Sequence, residues 1–109
     1  MDRRVGRERR SEERLKVAVE IEWAKDGVRY GGSLSDINAN GCFLLSSGSW
    51  TDGDLIKIYF PLTNGETIQI FGEILNHVDD VGFGLRFVNL TDTHKQFLRN
   101  FGEHHSIGM

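Results

Sequence analysis

Most of the chain alternates hydrophobic and polar positions with a period of two. Between Leu15 and Trp23 every second residue is apolar, which is typical of a strand with one buried face. Residues 81–87 alternate in the same way. Comparable apolar or alternating runs, each bounded by turn residues, predict strands at residues 15–23, 28–35, 42–45, 55–60, 66–78 and 81–87.

Short turn signals join these predicted strands. Asp26-Gly27 and Asn64-Gly65 are typical of hairpin turns, and Asp79-Asp80 separates the last two strands. Pro61 should end the fourth strand because proline cannot donate to a central ladder. Gly72, inside the long fifth strand, indicates a bend or bulge. Consecutive strands are therefore expected to run antiparallel.

Helical spacing is confined to the C-terminal residues. Thr91 or Asp92 can serve as the N-cap, Phe97 and Phe101 share one face, and Gly102 is a plausible end. Closure of six short strands would remove exposed sheet edges. We therefore predict a mainly β fold, a six-stranded antiparallel β-barrel with a C-terminal α-helix. The aromatic residues expected in its core are Trp23, Phe43, Phe83 and Phe87.

Length and composition are those of one soluble domain. The chain has 109 residues, of which 39% are hydrophobic and 27% charged. No apolar run approaches the ~20 residues that a membrane span needs, and no apolar stretch follows the basic first residues as in a signal peptide. The single cysteine, Cys42, cannot form an internal disulfide. These features predict a cytoplasmic protein without membrane association.

The charges are unevenly distributed. The net charge is −3, but residues 1–16 are rich in arginine and carry an excess of positive charge. The rest of the chain is acidic, which argues against binding of a nucleic-acid polymer. We expect a flexible arginine-rich N-terminal arm over residues 1–14 and a barrel domain over residues 15–109.

Candidate catalytic groups do not form a recognisable constellation. No histidine has a serine or cysteine partner in an elbow motif, and Cys42 at a strand start is more typical of a small core residue. One cysteine and scattered histidines give no zinc-ligand spacing. The sequence therefore predicts no enzyme, no metal site and no cofactor.

Two motifs indicate ligand binding instead. Arg10 and Arg14 form an RxxxR pattern, and 22 residues after Arg14 the segment Asp36-Ile37-Asn38-Ala39-Asn40-Gly41 begins. Together, in this order and on a barrel, they resemble the two-part signature of the PilZ family, RxxxR followed by [DN]xSxxG. Asn38 stands where the family has serine. The glycine-alternating strand at residues 82–87 and the C-terminal helix also resemble the family.

The resemblance implies a receptor for the bacterial second messenger cyclic di-GMP. Arginine matches the O6/N7 edge of guanine bidentately, a carboxylate accepts from the N–H donors of the opposite edge, and glycine permits positive φ and close approach. In the family, the residue before RxxxR influences whether the ligand binds singly or as a stacked pair. The ligand-binding residues expected here are Arg9, Arg10, Arg14, Asp36, Asn38 and Gly41.

Three functions remain open on the sequence. The first is a cyclic di-GMP receptor that signals to a protein partner, in a family associated with motility, biofilm matrix or virulence. The second is a PilZ-like adaptor that has lost nucleotide binding and acts through protein contacts. The third is a barrel that binds single-stranded nucleic acid, which the acidic body disfavours.

Overall fold

A computed structural model describes residues 13–48 and 50–107, and this part of the chain contains six strands followed by one helix. The elements are β1 (Leu15–Lys25), β2 (Val28–Ile37), β3 (Gly41–Leu45), β4 (Leu55–Pro61), β5 (Thr67–Val78), β6 (Gly82–Val88) and α1 (Asp92–His105). The predicted mainly β class, the six strands and the C-terminal helix are confirmed. The predicted arm falls mostly on residues outside the described ranges.

The sheet closes into a barrel because β1 pairs with both β2 and β4. The order around the barrel is β1-β2-β3-β6-β5-β4, and every neighbouring pair is antiparallel. The hairpin between β1 and β2 turns on Asp26 and Gly27, both with positive φ (54° and 83°), as two-residue hairpin loops require. Closure places alternate side chains inside the barrel and leaves the others on an outer face.

The interior is filled by aliphatic and aromatic side chains. Trp23, Phe60 and Phe83 are fully buried. At one end, helix α1 places Phe101 against Phe60, with ring centroids 5.2 Å apart. At the other end of β1, the loop between β3 and β4 places Trp50 over Phe83, with centroids 5.0 Å apart. Both ends of the core are therefore covered.

Two glycines have roles that differ from the predicted ones. Gly102 does not end the helix. It lies inside α1, buried where an added Cβ would be 3.3 Å from Ile37 and from Leu15. The β5 register shift falls between Ile74 and Asn76 rather than at Gly72. Gly102 allows helix α1 to pack closely against the barrel, and Gly72 leaves room inside the barrel for Leu85, whose Cδ1 would lie 2.6 Å from an added Cβ. Sequence alone does not distinguish these packing roles from a helix end or a bulge. Within the described ranges, no helix has the length and apolar character needed to cross a bilayer.

Candidate functional site

One residue of each sequence motif lies on the outer face of the barrel, and the two are in contact. Arg14, just before β1, donates from Nη1 to Oδ1 of Asp36 on β2 at 2.9 Å. The side chains are 43% and 31% exposed, so both can be reached from solvent. Residues 22 positions apart in sequence thereby form one charged pair.

A β-bulge turns Asp36 outward. Leu34 and Ile37 are both fully buried, although a regular strand would point residues three apart to opposite faces. The β2–β3 register shifts between Leu34 and Asp36, so Ser35 is the additional residue. The bulge keeps both flanking aliphatic side chains in the core and leaves Asp36 on the outer face, as bulges beside functional sites commonly do.

Asn38 and Gly41 form the connection from β2 to β3. Oδ1 of Asn38 accepts from the backbone N–H of Asn40 at 2.8 Å and of Gly41 at 3.0 Å, which is a side-chain-stabilised turn. Gly41 is not among the positive-φ glycines of the described residues, so that part of its predicted role is wrong. An added Cβ would lie 2.2 Å from the carbonyl oxygen of Leu85. Gly41 is required for the close approach of β3 and β6.

A cavity of about 240 Å³ adjoins the Arg14–Asp36 pair. Its lining residues are Arg14, Asp36, Phe43, Leu75, Asn76, Gly84 and Leu85. Phe43 is half-buried and lies here, so its predicted place in the core is wrong. Trp23, Phe83 and Phe87 do lie in the core. Asn76 comes from β5, far from both motifs in sequence, and only strand pairing brings it to this cavity.

Cys42 lies beneath this site and is fully buried. Burial raises the pKa of its thiol far above the usual range, while the nearby Arg14 charge lowers it less. The thiol is therefore neutral, and it packs as a small core residue.

A second, larger cavity of about 500 Å³ lies beside the loop between β3 and β4. Its lining residues are Ser47, Gly48, Trp50, His77, Asp79 and Asp80. Nδ1 of His77 lies 2.8 Å from Asp52, and Nε2 lies 3.3 Å from Asp79. The hydrogen bond with Asp52 raises the pKa of His77. Among the described residues, none from either sequence motif lines this cavity, so we assign the candidate site to the smaller one.

The predicted ligand residues are thus divided. Arg14 and Asp36 line the smaller cavity. Asn38 and Gly41 form the β2–β3 connection that follows Asp36, and neither is among the lining residues. Arg9 and Arg10 lie outside the described residues. Phe43 and Asn76 also line this cavity but were not predicted from the sequence as ligand-binding residues. A single aromatic residue or a single amide does not form a recognisable motif.

Comparisons with known proteins agree with the observed fold. The family model of the PilZ domain matches residues 8–102. The fold is similar to the PilZ domain of CeSA from a cellulose-synthesizing bacterium, with a TM-score of 0.65 and 17% identity over 86% of this chain and 100% of that one. It is also similar to the PlzA protein of Borreliella burgdorferi, solved in complex with c-di-GMP, with a TM-score of 0.64 and 13% identity. That match covers 93% of this chain and 44% of PlzA. A comparison with curated proteins finds no match. The match to the family model over most of the sequence, together with the closed barrel, shows that the chain belongs to the PilZ domain family.

Proposed function

We propose that this protein is a cyclic di-GMP receptor whose ligand is bound by Arg10 and Arg14 on one side and by Asp36 on the other. The observation that supports the proposal is the Arg14–Asp36 pair, in which one residue of each motif lines the same cavity. The PlzA protein, a structural neighbour, was solved with this nucleotide. Arg9, Asn38 and Gly41 complete the proposed site.

The chemistry of the pair suits a guanine nucleotide. A guanidinium donates to the O6/N7 edge of guanine and to phosphate, and a carboxylate accepts from its N–H groups. An exposed ion pair contributes only ~0–1 kcal/mol to stability. Separating Arg14 from Asp36 to admit a ligand therefore costs little free energy. The proposed receptor function includes no enzymatic step.

Ligand binding is proposed to act on a protein partner through the N-terminal arm. The arm carries Arg9 and Arg10 and continues directly into β1, which begins at Leu15. Contacts of its arginines with the dianionic ligand would order this segment and change the surface offered to a partner.

Calorimetric titration with cyclic di-GMP tests the proposal, with GTP and cyclic di-AMP as competitors for selectivity. We expect saturable binding by the wild-type protein and at least a tenfold loss in Arg14→Ala, because a charge-assisted hydrogen bond is worth about 1.5–3 kcal/mol. Arg99→Ala is the matched control, since it removes an exposed arginine from helix α1. Wild-type protein that gives no heat and no thermal stabilisation at high micromolar ligand would contradict the proposal.

One observation favours the adaptor as a second candidate. Asn38 replaces the family's serine, and its Oδ1 is engaged by two backbone N–H groups of the turn. A turn stabilised in this way would hold its shape without a nucleotide. Absence of nucleotide binding together with a retained fold would favour this candidate.

A further inference from the structure

Four residues from four neighbouring strands form a continuous row across the outer face of the barrel. Asp36 on β2 pairs with Phe43 on β3, Phe43 with Gly84 on β6, and Gly84 with Asn76 on β5. All four line the same cavity. Three interstrand spacings of ~4.8 Å separate the ends of the row by roughly 14 Å along the sheet. Asp36 and Asn76 would therefore contact different parts of a ligand that covers the row.

Matching β-bulges aim the two ends of the row outward. The β2 bulge exposes Asp36, as described above. On β5, Ile74 is buried, and the register against β6 shifts between Ile74 and Asn76, so Leu75 is the additional residue. Regular alternation would point Asn76 to the same side as Ile74, into the core. Because of the bulge, Asn76 is exposed and faces the cavity.

Asn76 offers hydrogen-bonding groups that no other described residue uses. Among residues 13–48 and 50–107 its side-chain amide makes no hydrogen bond. Asn76 instead presents one acceptor and two donors towards the cavity.

At the centre of the row, Gly84 leaves a flat surface between the side chains of Phe43 and Asn76. Gly84 has no side chain, and a Cβ added there would lie 3.0 Å from Oδ1 of Asn76 and 3.5 Å from Cδ1 of Phe43. Glycine at this position keeps the space between the aromatic ring and the amide open. A planar ring system can lie over Gly84, in contact with Phe43 and with one edge towards Asn76.

We infer that Asn76 is a base-recognition residue: a purine base of the ligand lies over Gly84, beside Phe43, and hydrogen-bonds the Asn76 amide through its edge. The O6 acceptor and N1–H donor of guanine lie side by side and match the N–H donor and carbonyl acceptor of an amide. The inference rests on the proposed function, since it names a further contact of the same nucleotide. It assigns Asp36 and Asn76 to opposite ends of the bound molecule.

The test is titration of the full chain with cyclic di-GMP, using Asn76→Ala and the matched control Asn100→Ala. Asn100 is exposed on helix α1, outside the cavity. Loss of two neutral hydrogen bonds predicts an approximately tenfold or greater rise in Kd for Asn76→Ala, with none for Asn100→Ala. In ¹⁵N-resolved NMR spectra the side-chain amide signals of Asn76, assigned by their disappearance in the variant, should shift on ligand addition.

A second variant tests the position of the base without removing the amide. Gly84→Val places a side chain in the space between Phe43 and Asn76. The backbone at Gly84 does not have a positive φ, so it can accept valine without backbone strain. We expect the melting temperature to be retained and ligand affinity to fall by tenfold or more. Wild-type binding with unchanged Kd in both variants and unshifted Asn76 signals would overturn this inference and leave the proposed function standing. Absence of binding by the wild-type protein would overturn both.

Discussion

At the scale of single residues, the glycines of this barrel decide how closely its strands approach. Gly41 and Gly82 both lie where an added Cβ would meet a backbone carbonyl oxygen of the adjacent strand, at 2.2 Å and 1.9 Å. A backbone atom cannot move aside as a side chain can. Gly31 on β2 has nothing within 4 Å of an added Cβ. The motif glycine is therefore a packing residue, whatever it also contributes to a ligand.

Gly41→Ala is expected to lower the free energy of unfolding by about 2–3 kcal/mol, because β3 must move away from β6 to accept the methyl group. In thermal unfolding this corresponds to a drop of roughly 10 °C for a domain of this size. Gly31→Ala is the control and should leave the melting temperature unchanged or slightly raised, since it restricts only the unfolded chain. Equal melting temperatures for the two variants would contradict the packing role.

At the scale of elements, the loop between β3 and β4 is held over the end of the barrel by polar contacts at both its ends. Ser46 accepts from Nε1 of buried Trp23 at 2.9 Å and donates to the carbonyl of Gly31 at 2.7 Å. Asp52 is joined to His77 of β5 at 2.8 Å. These contacts keep Trp50 of this loop over the aromatic core.

The His77–Asp52 contact should make the stability of the protein depend on pH. The hydrogen bond with Asp52 raises the pKa of His77 above the ordinary 6.5, so the folded state binds the proton more tightly than the unfolded chain. The stabilisation is complete below pH 6.5 and is lost as the pH rises through the raised pKa of the folded state.

Melting temperatures of the wild type and His77→Gln between pH 5.5 and 8.5 measure this effect. We expect the wild type to exceed the variant most at the acid end, with the difference shrinking as the pH rises. Gln69→Ala removes an exposed neutral side chain from β5 and should show no such trend. A difference that is constant across this range would rule out the proposed linkage.

At the scale of the whole molecule, an acidic barrel follows an arginine-rich N-terminal segment. The net charge of −3 opposes the approach of a dianionic ligand, yet at physiological ionic strength charges beyond ~8 Å are screened. Binding should therefore depend on arginines that contact the ligand rather than on overall charge. The sequence offers two RxxxR patterns, Arg3/Arg7 and Arg10/Arg14, but only Arg14 lies at the cavity in the described residues.

Two double variants of equal charge separate contact from overall charge. Arg9→Ala/Arg10→Ala and Arg3→Ala/Arg7→Ala each take the net charge from −3 to −5. In calorimetry at ~150 mM salt we expect the first to lose at least tenfold in affinity for cyclic di-GMP and the second to change it less than threefold. The same loss in both would show that the segment acts through long-range charge alone.

The local features of this protein follow from short sequence patterns. Asp26-Gly27 predicted a hairpin because few residues accept two consecutive positive φ angles, and the alternation of β1 and β6 predicted their buried faces. Thr91 or Asp92 was predicted to cap the start of the helix, and Thr91 is the N-cap, since its side chain accepts from the N–H of His94. The PilZ resemblance likewise needed only short motifs, and the family match agrees with it.

The residues that lie beside those motifs depend on the tertiary fold. The additional residues Ser35 and Leu75 look like ordinary strand residues in the sequence, because a bulge is defined by the neighbouring strand that it faces. Phe43 was expected in the core because aromatic side chains are usually buried, but its neighbours on the outer face place it at the cavity. Asn76 reaches the same cavity through the pairing of β5 with β6. Contacts between distant segments depend on barrel closure, and no local pattern in the chain encodes them.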